Sequence, residues 1–205
     1  MRLPGLRNIE TAKQIYERLD RWKLANEVVS SYFQAHPDNT DKHCVVTKVV
    51  LVNGLYSANI KDPMGIAEHI LGLPGLDKQL KAGDVEAIDL IADADRHYVS
   101  FASKYGHFHK KSAFPMCDKY VENAMGLLLE GRRRSFRPYS YFFEKITAFR
   151  EQAGLGSVSW EDLDKYLWLY GQWKELEKGN EAIGKEVKTL YKSHECPDLF
   201  DGLEP

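Results

Sequence analysis

The stretch whose residues could do chemistry surrounds position 118, where residues 114–121 read FPMCDKYV. A proline three residues before Asp118, and apolar residues at Val121, Met125 and Leu128, predict a helix that begins at the aspartate. An aspartate there most often caps the helix by accepting hydrogen bonds from its first backbone amides. A carboxylate held in a fixed direction could instead stabilise positive charge or activate a water molecule. Both interpretations stay open on the residues alone.

Basic side chains precede this aspartate. Lys104 could act as an amine nucleophile if burial lowered its pKa, but it could equally contact a phosphate or lie in solvent. His107 and His109 lie two residues apart with no third ligand nearby in sequence, which is a weak metal signal. We interpret the two histidines as partly exposed linker residues or as contacts to a phosphate or base, and we predict that Lys110 and Lys111 contact DNA. We expect no metal and no cofactor.

A second basic group lies in residues 130–143, which read EGRRRSFRPYSYFF. Residues 104–137 hold eight Lys or Arg against three acids, although the formal net charge of the chain is −2. Arginine binds phosphate through its charge and forked donors, and aromatic rings stack on unpaired bases. Four arginines are more than a charged loop at the end of a helix ordinarily contains, so we expect this group to contact a polyanion. Its arginines are Arg132, Arg133, Arg134 and Arg137, beside Tyr139 and Tyr141.

Polar and aromatic residues at two other places are candidates for a substrate pocket. Asn53, Tyr56 and Asn59 follow an apolar run, where their side chains either read a ligand or satisfy the carbonyl groups of a helix end. Trp168 lies in an aromatic stretch and either lines a pocket or packs in the core.

The elements that must position these residues are predicted to be helical throughout, so the fold class is all-α. Residues 42–60 are ambiguous, because a Val-rich run suits a buried strand or a buried helix, and we favour a helix because no second strand candidate exists to pair with it. Asp62 and Pro63 form a start signal, and residues 71–84 are interpreted as a turn-rich connector. The other helices are predicted over 9–35, 85–95, 101–108, 139–150 and 180–193, with further ones beginning near Asp118 and at a capping box over Ser159–Asp162.

Length and composition limit the kinds of protein that this chain can be. A chain of 205 residues with 43% hydrophobic and 12% aromatic residues is long and apolar enough for one domain or two small lobes. Cys44, Cys117 and Cys196 have no metal-ligand spacing, which favours reduced thiols in a cytoplasmic protein. No apolar run reaches membrane-spanning length, and we expect a monomer with no membrane partner. We expect residues 1–205 to form a single globular unit that ends in an acidic tail over 195–205.

The order of these elements resembles the helix-hairpin-helix DNA glycosylase superfamily, which includes endonuclease III and 3-methyladenine glycosylase. FPMCDKYV is similar to the segment that carries the family's catalytic aspartate, which falls on Asp118. FASKYGHFH (101–109) is similar to the second hairpin helix and the linker that follows it. The resemblance covers about residues 25–175 and implies a two-lobed fold with a central cleft.

Two further segments share the resemblance. VVLVNGLYSANI (49–60) is similar to the family's segment with the DNA-wedging or pocket side chain, near Asn53, and LDKYLWLYG (163–171) is similar to its late pocket helix. The sequence departs from the family at the hairpin, since DADRHYVS (93–100) has no glycine. The position of the lysine nucleophile of bifunctional members falls near Ser100, with Lys104 one turn further on. The four-cysteine iron–sulfur loop of endonuclease III is absent from the sequence.

The resemblance implies a monofunctional DNA glycosylase that flips a modified or damaged base out of duplex DNA. Asp118 would stabilise the cation-like sugar as the glycosidic bond breaks, and Asn53, Tyr56, Asn59 and Trp168 would bind the base. The role would be DNA repair or the excision of hypermodified cytosine from phage DNA. The alternative from another class is a non-catalytic helical nucleic-acid-binding module, in which Asp118 is only a cap.

Overall fold

The computed structural model describes residues 2–94, 98–193 and 200–205. Over these ranges the chain forms eleven α-helices and no strand, which confirms the predicted all-α class. No helix in these ranges is long and apolar enough to cross a membrane. The helices are α1 (Leu6–Tyr16), α2 (Asp20–Ala35), α3 (Lys42–Leu55), α4 (Pro63–Gly72), α5 (Leu76–Ala82), α6 (Glu86–Ala92), α7 (Val99–His109), α8 (Lys119–Glu130), α9 (Tyr139–Gln152), α10 (Trp160–Glu177) and α11 (Lys185–Lys192).

The described chain divides into two compact units. The first comprises residues 1–23, 118–136 and 144–205, and the second comprises residues 24–117 and 137–143.

In the first unit, α10 packs against α1, α8 and α11. The closest approach is at Gly171 of α10, where a Cβ atom would lie 2.3 Å from the Tyr120 carbonyl oxygen, so only glycine fits. The two ends of the unit also meet, because the Asn8 side chain donates hydrogen bonds to the carbonyls of Gly202 (3.0 Å) and Glu204 (2.8 Å).

In the second unit, α7 packs against α3, α5 and α6, and it is buried on nearly all sides. Its aromatic face at Phe101, Tyr105 and Phe108 lies in the core. Gly106 lies on the side towards α6, where a Cβ atom would lie 2.1 Å from the Ile88 side chain. The interior position of α7 decides what its polar residues can do.

Several helix boundaries confirm local sequence signals. Asp62 caps α4 with Pro63 in its first turn, and Ser159 caps α10 through the amide of Asp162. The ambiguous Val-rich run is α3, which begins after Asp41 as its N-cap.

Two predictions about the elements are wrong. The connector predicted over 71–84 contains α5, a seven-residue helix that lies between Gly75 and Gly83, both with positive φ. The continuous helix predicted over 9–35 is interrupted at Glu17–Leu19, because α1 ends at Tyr16 and the chain turns before α2.

Candidate functional site

Asp118 opens α8 as its N-cap. One carboxylate oxygen accepts hydrogen bonds from the backbone amides of Tyr120 (2.8 Å) and Val121 (3.0 Å). These amides have no partner within the helix, so the aspartate supplies one. The helix therefore begins where the sequence predicts, and the capping interpretation of Asp118 is confirmed. A catalytic role stays a prediction.

Lys104 lies on α7 and is almost fully buried, with 3% of its surface exposed. Its amine donates a hydrogen bond of 2.7 Å to the Ser100 hydroxyl and a longer one of 3.3 Å to the Ser100 carbonyl. The interpretation of Lys104 as a residue on a solvated face is therefore wrong, because α7 crosses the interior of its unit.

The two histidines are not linker residues, because both belong to α7. His107 is fully buried, and its Nδ1 lies 2.9 Å from the Phe114 carbonyl oxygen, with which it forms a hydrogen bond. His109 is mostly buried, and burial lowers its pKa to about 3. At neutral pH the His109 imidazole is therefore uncharged and cannot attract phosphate as a cation.

The arginine-rich segment is held on the first unit by acidic residues. Glu122, itself only 5% exposed, accepts hydrogen bonds from the Ser135 hydroxyl (2.8 Å) and the Phe136 amide (2.7 Å). Arg133 forms an ion pair with the buried Glu175, while Arg132 and Arg134 both pair with Glu130. The expected polyanion surface thus already has carboxylate partners, although the exposed pairs with Glu130 contribute little and exchange readily.

Arg137 belongs to the second unit, where it lines an open cavity of about 640 Å³. Three carboxylates share this lining, those of Glu86, Asp89 and Asp93. Asp89 also caps the start of α9 by accepting from the amides of Tyr139 and Ser140. The surroundings of Arg137 are acidic, which does not favour phosphate.

Asn53 lies in the last turn of α3, and Asn59 belongs to the turn that follows this helix. The Asn53 side chain both accepts from the Ile60 amide (2.9 Å) and donates to the Ile60 carbonyl (3.1 Å), which closes this turn. Asn59 has a φ of 57°, a left-handed conformation that asparagine tolerates better than most residues. The Asn53 side chain thus bonds to the backbone of Ile60 and not to carbonyls of the helix end, and its role in binding a base stays a prediction.

The aromatic candidates pack against other rings. Trp168 lies in the core of the first unit, edge-to-face with Trp22 at a ring separation of 4.8 Å. Tyr56 lies in the second unit, where its ring is 5.3 Å from that of Phe108. Their joint contribution to one substrate pocket stays a prediction.

The second unit contains a polar cluster that the sequence did not predict. Asn39 is at its centre: its Oδ1 accepts from the amine of Lys48 (3.0 Å) and from the hydroxyl of Tyr105 (2.6 Å). Its Nδ2 donates to Asp77 (2.7 Å), and its backbone amide donates to the same carboxylate. Lys48 also donates to the carbonyl of Asp38 (3.0 Å). We call Asn39, Lys48, Asp77 and Tyr105 the Asn39 cluster.

Burial controls the chemistry of this cluster. Lys48 is completely buried, and the loss of solvation lowers its pKa to about 8. Burial also raises the pKa of Tyr105 well above its ordinary value, so this hydroxyl stays protonated and donates. The one signal in the sequence is Lys48 itself, a lysine inside the apolar run of α3.

A small cavity adjoins the Asn39 cluster, between α2, α5 and α7. Its volume is about 270 Å³, and we call it the α2–α5–α7 cavity. The rings of Phe33, Phe108 and His109 provide its walls, and Asp77 belongs to both the cavity and the cluster. The Nε2 atom of His109 is buried and has no hydrogen-bond partner. The lining residues are Phe33, Gln34, Pro37, Asp77, Leu80, Lys81, Phe108 and His109.

One lysine lines this cavity, and three others lie within two positions of its lining residues along the chain. Lys81 lines it and pairs with Asp38 at 2.8 Å, while Lys110 donates to the carbonyl of Lys81 at 2.7 Å. Lys111 lies over the Phe108 ring at 5.8 Å, and Lys78 precedes Lys81 by one helical turn on α5. We call Lys78, Lys81, Lys110 and Lys111 the lysine face.

Comparison with known proteins shows the family of this chain. The family model HI_0787_N, described as an N-terminal domain, matches residues 8–113. That range contains the Asn39 cluster and the α2–α5–α7 cavity, whereas Asp118 and the arginines lie beyond it. An uncharacterized protein from Haemophilus influenzae is 31% identical over 176 residues, which cover 80% of this chain and 84% of that protein. No solved structure matches the chain. Both similarities identify the chain as a member of the HI_0787_N family.

Proposed function

We propose that this protein binds nucleic acid through the lysine face. The observation that carries the proposal is the approach of Lys110, which directly follows α7, to Lys81 on α5, because the Lys110 amine donates a hydrogen bond to the Lys81 carbonyl. Lysines repel one another, so lysines that converge on one surface favour a negatively charged partner. A phosphate backbone supplies evenly spaced negative charges along such a surface.

The positions of these amines support the proposal. Lys78 and Lys81 are exposed on α5, and Lys110 is oriented by its hydrogen bond to a backbone carbonyl rather than by a carboxylate. Lys81 pairs with Asp38, and both side chains of that pair are exposed. Exposed ion pairs cost little to exchange, so a phosphate can replace the carboxylate.

Salt dependence of binding tests this proposal. Single-stranded and duplex oligonucleotides carrying a fluorophore are titrated with the full chain at several salt concentrations, and binding is followed by anisotropy. We expect binding that weakens steeply with salt. The triple substitution of Lys81, Lys110 and Lys111 to Gln should reduce the slope of log K against log salt by about 2 to 3 units, since each phosphate contact contributes about 0.7 to 0.9.

A matched control has the same change of charge elsewhere. Lys61, Lys178 and Lys185 are exposed lysines outside the lysine face, and their triple substitution to Gln should leave the slope unchanged. Equal loss of binding in both triple variants would show that only net charge matters, and the proposed surface would be wrong.

A second proposal is that this nucleic-acid-binding protein is a DNA glycosylase with a two-lobed helix-hairpin-helix arrangement. The observation in its favour is that the Phe-Pro-x-x-Asp turn opens α8 at Asp118, the position that the resemblance gives to the catalytic carboxylate. DNAs with different modified bases are incubated with the protein and then treated with hot alkali, which cleaves at abasic sites.

Asp118→Asn is the decisive variant, because asparagine caps a helix about as well as aspartate. We expect it to abolish base excision and to keep DNA binding. Asp62→Asn makes the same change at the N-cap of α4 and should keep both activities. The excision proposal fails if no modified base is released, or if Asp118→Asn retains full activity.

A further inference from the structure

The α2–α5–α7 cavity has the size and lining of a site for one aromatic ring. Its volume of about 270 Å³ is slightly below the range of about 300 to 1,000 Å³ that is usual for small-ligand pockets. The walls are rings in contact: the Phe33 ring lies edge-to-face with His109 at 5.0 Å and is tilted against Phe108 at 5.6 Å. A flat ring fits among such walls through offset and edge-to-face packing.

His109 contributes a hydrogen-bond acceptor to this cavity. The imidazole is neutral at physiological pH because burial lowers its pKa, so one ring nitrogen carries hydrogen and the other has a lone pair. The backbone of Pro37 forms a hydrogen bond with the ring, and Nε2 has no partner, so this bond belongs to Nδ1. Nδ1 donates to the Pro37 carbonyl, which leaves the Nε2 lone pair as an acceptor.

Asp77 contributes a second acceptor. Its carboxylate is held in place by the Asn39 backbone amide, at 3.1 Å, and by the Asn39 side chain, at 2.7 Å. A carboxylate has about four lone-pair sites, so these bonds leave capacity for a ligand. Because the carboxylate is negative, it repels a negatively charged group and favours a part of a ligand that presents N–H donors.

We infer that the α2–α5–α7 cavity binds a guanine base, with its N–H edge towards His109 Nε2 and the Asp77 carboxylate. The inference deepens the proposed function and rests on it, since the lysine face would hold the phosphate attached to this base. Guanine has a ring N–H next to an exocyclic amine and therefore offers adjacent donors to two acceptors. Adenine and cytosine lack the ring N–H at that edge, and uracil and thymine lack the amine.

The same base chemistry could come from a free nucleotide or from a nucleic-acid strand, so the test has two arms. In the first arm the full chain is titrated calorimetrically with GMP, AMP, CMP and UMP. In the second arm, anisotropy compares a ten-residue thymidine strand with the same strand carrying one central guanine, and with one carrying an abasic residue there. We expect guanine to be preferred by about tenfold or more in at least one arm, since a well-matched pair of hydrogen bonds discriminates at that level.

Two variants connect the preference to the cavity. His109→Phe keeps a ring in the wall and removes the acceptor, whereas Asp77→Asn keeps an oxygen for Asn39 and replaces one acceptor with a donor. Each should abolish the preference for guanine while retaining salt-dependent binding of the thymidine strand. His43→Phe is the control, because that side chain is 98% exposed, and it should leave the preference intact. Circular dichroism and melting temperatures confirm folding.

Each outcome decides between the two proposals. A preference for GMP without a preference among strands identifies a free nucleotide as the ligand, and the reverse identifies a strand. Preference for GMP without any strand binding overturns the proposed function and supports the cavity. Salt-dependent strand binding without guanine preference, or a preference that survives in both variants, overturns the inference about the cavity and leaves the proposed function standing.

Discussion

Asp118 and the Asn39 cluster are both polar features of a helical protein, yet the hydrogen bonds they form serve different purposes. One oxygen of Asp118 accepts from two amides of its own helix, at sequence separations of two and three. In the Asn39 cluster, one side chain joins residues up to 66 positions apart and lies beside a cavity. The difference shows that a carboxylate prominent in sequence can be explained locally, whereas a buried network across several elements needs another explanation.

The largest expected effect comes from Asn39→Ala. This change removes the acceptor for Lys48 and Tyr105 and leaves both groups buried without it. We expect a loss of about 3 to 5 kcal/mol in the free energy of unfolding, the range seen when a buried charge loses its partner. Urea denaturation measures it, and a loss below about 1 kcal/mol would show that the cluster contributes no more than an ordinary cap.

The pH dependence of stability gives the next largest effect. The pKa of His109 is lowered from 6.5 to about 3, so the unfolded state binds more protons between these values and stability is lost as pH falls. The loss is about 1.4 kcal/mol per pH unit, or about 2 kcal/mol at pH 5 relative to neutral pH. Asp38, Lys48 and Lys81 also act on this imidazole.

The contribution of His109 is measured as the difference between the wild-type protein and His109→Phe. Urea denaturation from pH 7.5 to pH 4.5 should show a weaker decline in the variant, because other titrating groups are common to both. Parallel declines would mean that the imidazole is solvated and not buried.

Asp118→Ala measures the contribution of the helix cap, for comparison with that of the Asn39 cluster. Loss of an N-cap costs about 1 kcal/mol, and Asp118→Asn should cost much less because the amide oxygen still accepts. Urea denaturation of the two variants measures both costs. If Asp118→Ala destabilises the protein as much as Asn39→Ala, the aspartate does more than cap α8.

The smallest effect is expected for Lys48→Met. Methionine fills similar space without a charge. Replacing a buried charge by an apolar side chain is often close to neutral, so we expect the free energy of unfolding to change by no more than about 1 kcal/mol.

The Lys48→Met variant should also lose a pH dependence of stability that the wild-type protein has. The Lys48 pKa is lowered from 10.5 to about 8, so the wild type gains stability as pH rises from 8 to 10.5. Thermal melts across that range measure the difference, and identical profiles would contradict the burial of Lys48.

The sequence predicts much of the helical framework, because caps are local. Asp62 with Pro63, Asp118 and Ser159 all mark true helix starts, since each supplies an acceptor to amides two or three residues away. The helix α5 is missed because its seven residues lie between two glycines and give too short a pattern. The break after α1 is missed because no proline or glycine marks it.

The candidate site could not be predicted in the same way. Asn39, Asp77 and Tyr105 lie on separate elements, and only tertiary packing brings them together. The burial of His107 and Lys104 also depends on the packing around α7, whose sequence does not distinguish a buried helix from one with an exposed basic side. The sequence therefore shows which residues are basic, but it does not show which of them are buried.

The hydrogen bonds from Asn8 to the carbonyls of Gly202 and Glu204 have a practical consequence for engineering. Chain ends this close can be joined by a short glycine–serine linker, and proteins of this kind commonly tolerate circular permutation. New termini placed at the exposed Gly156, in the loop between α9 and α10, would give a permutant that keeps every helix whole. Such a permutant would carry a reporter fused far in sequence from both original ends.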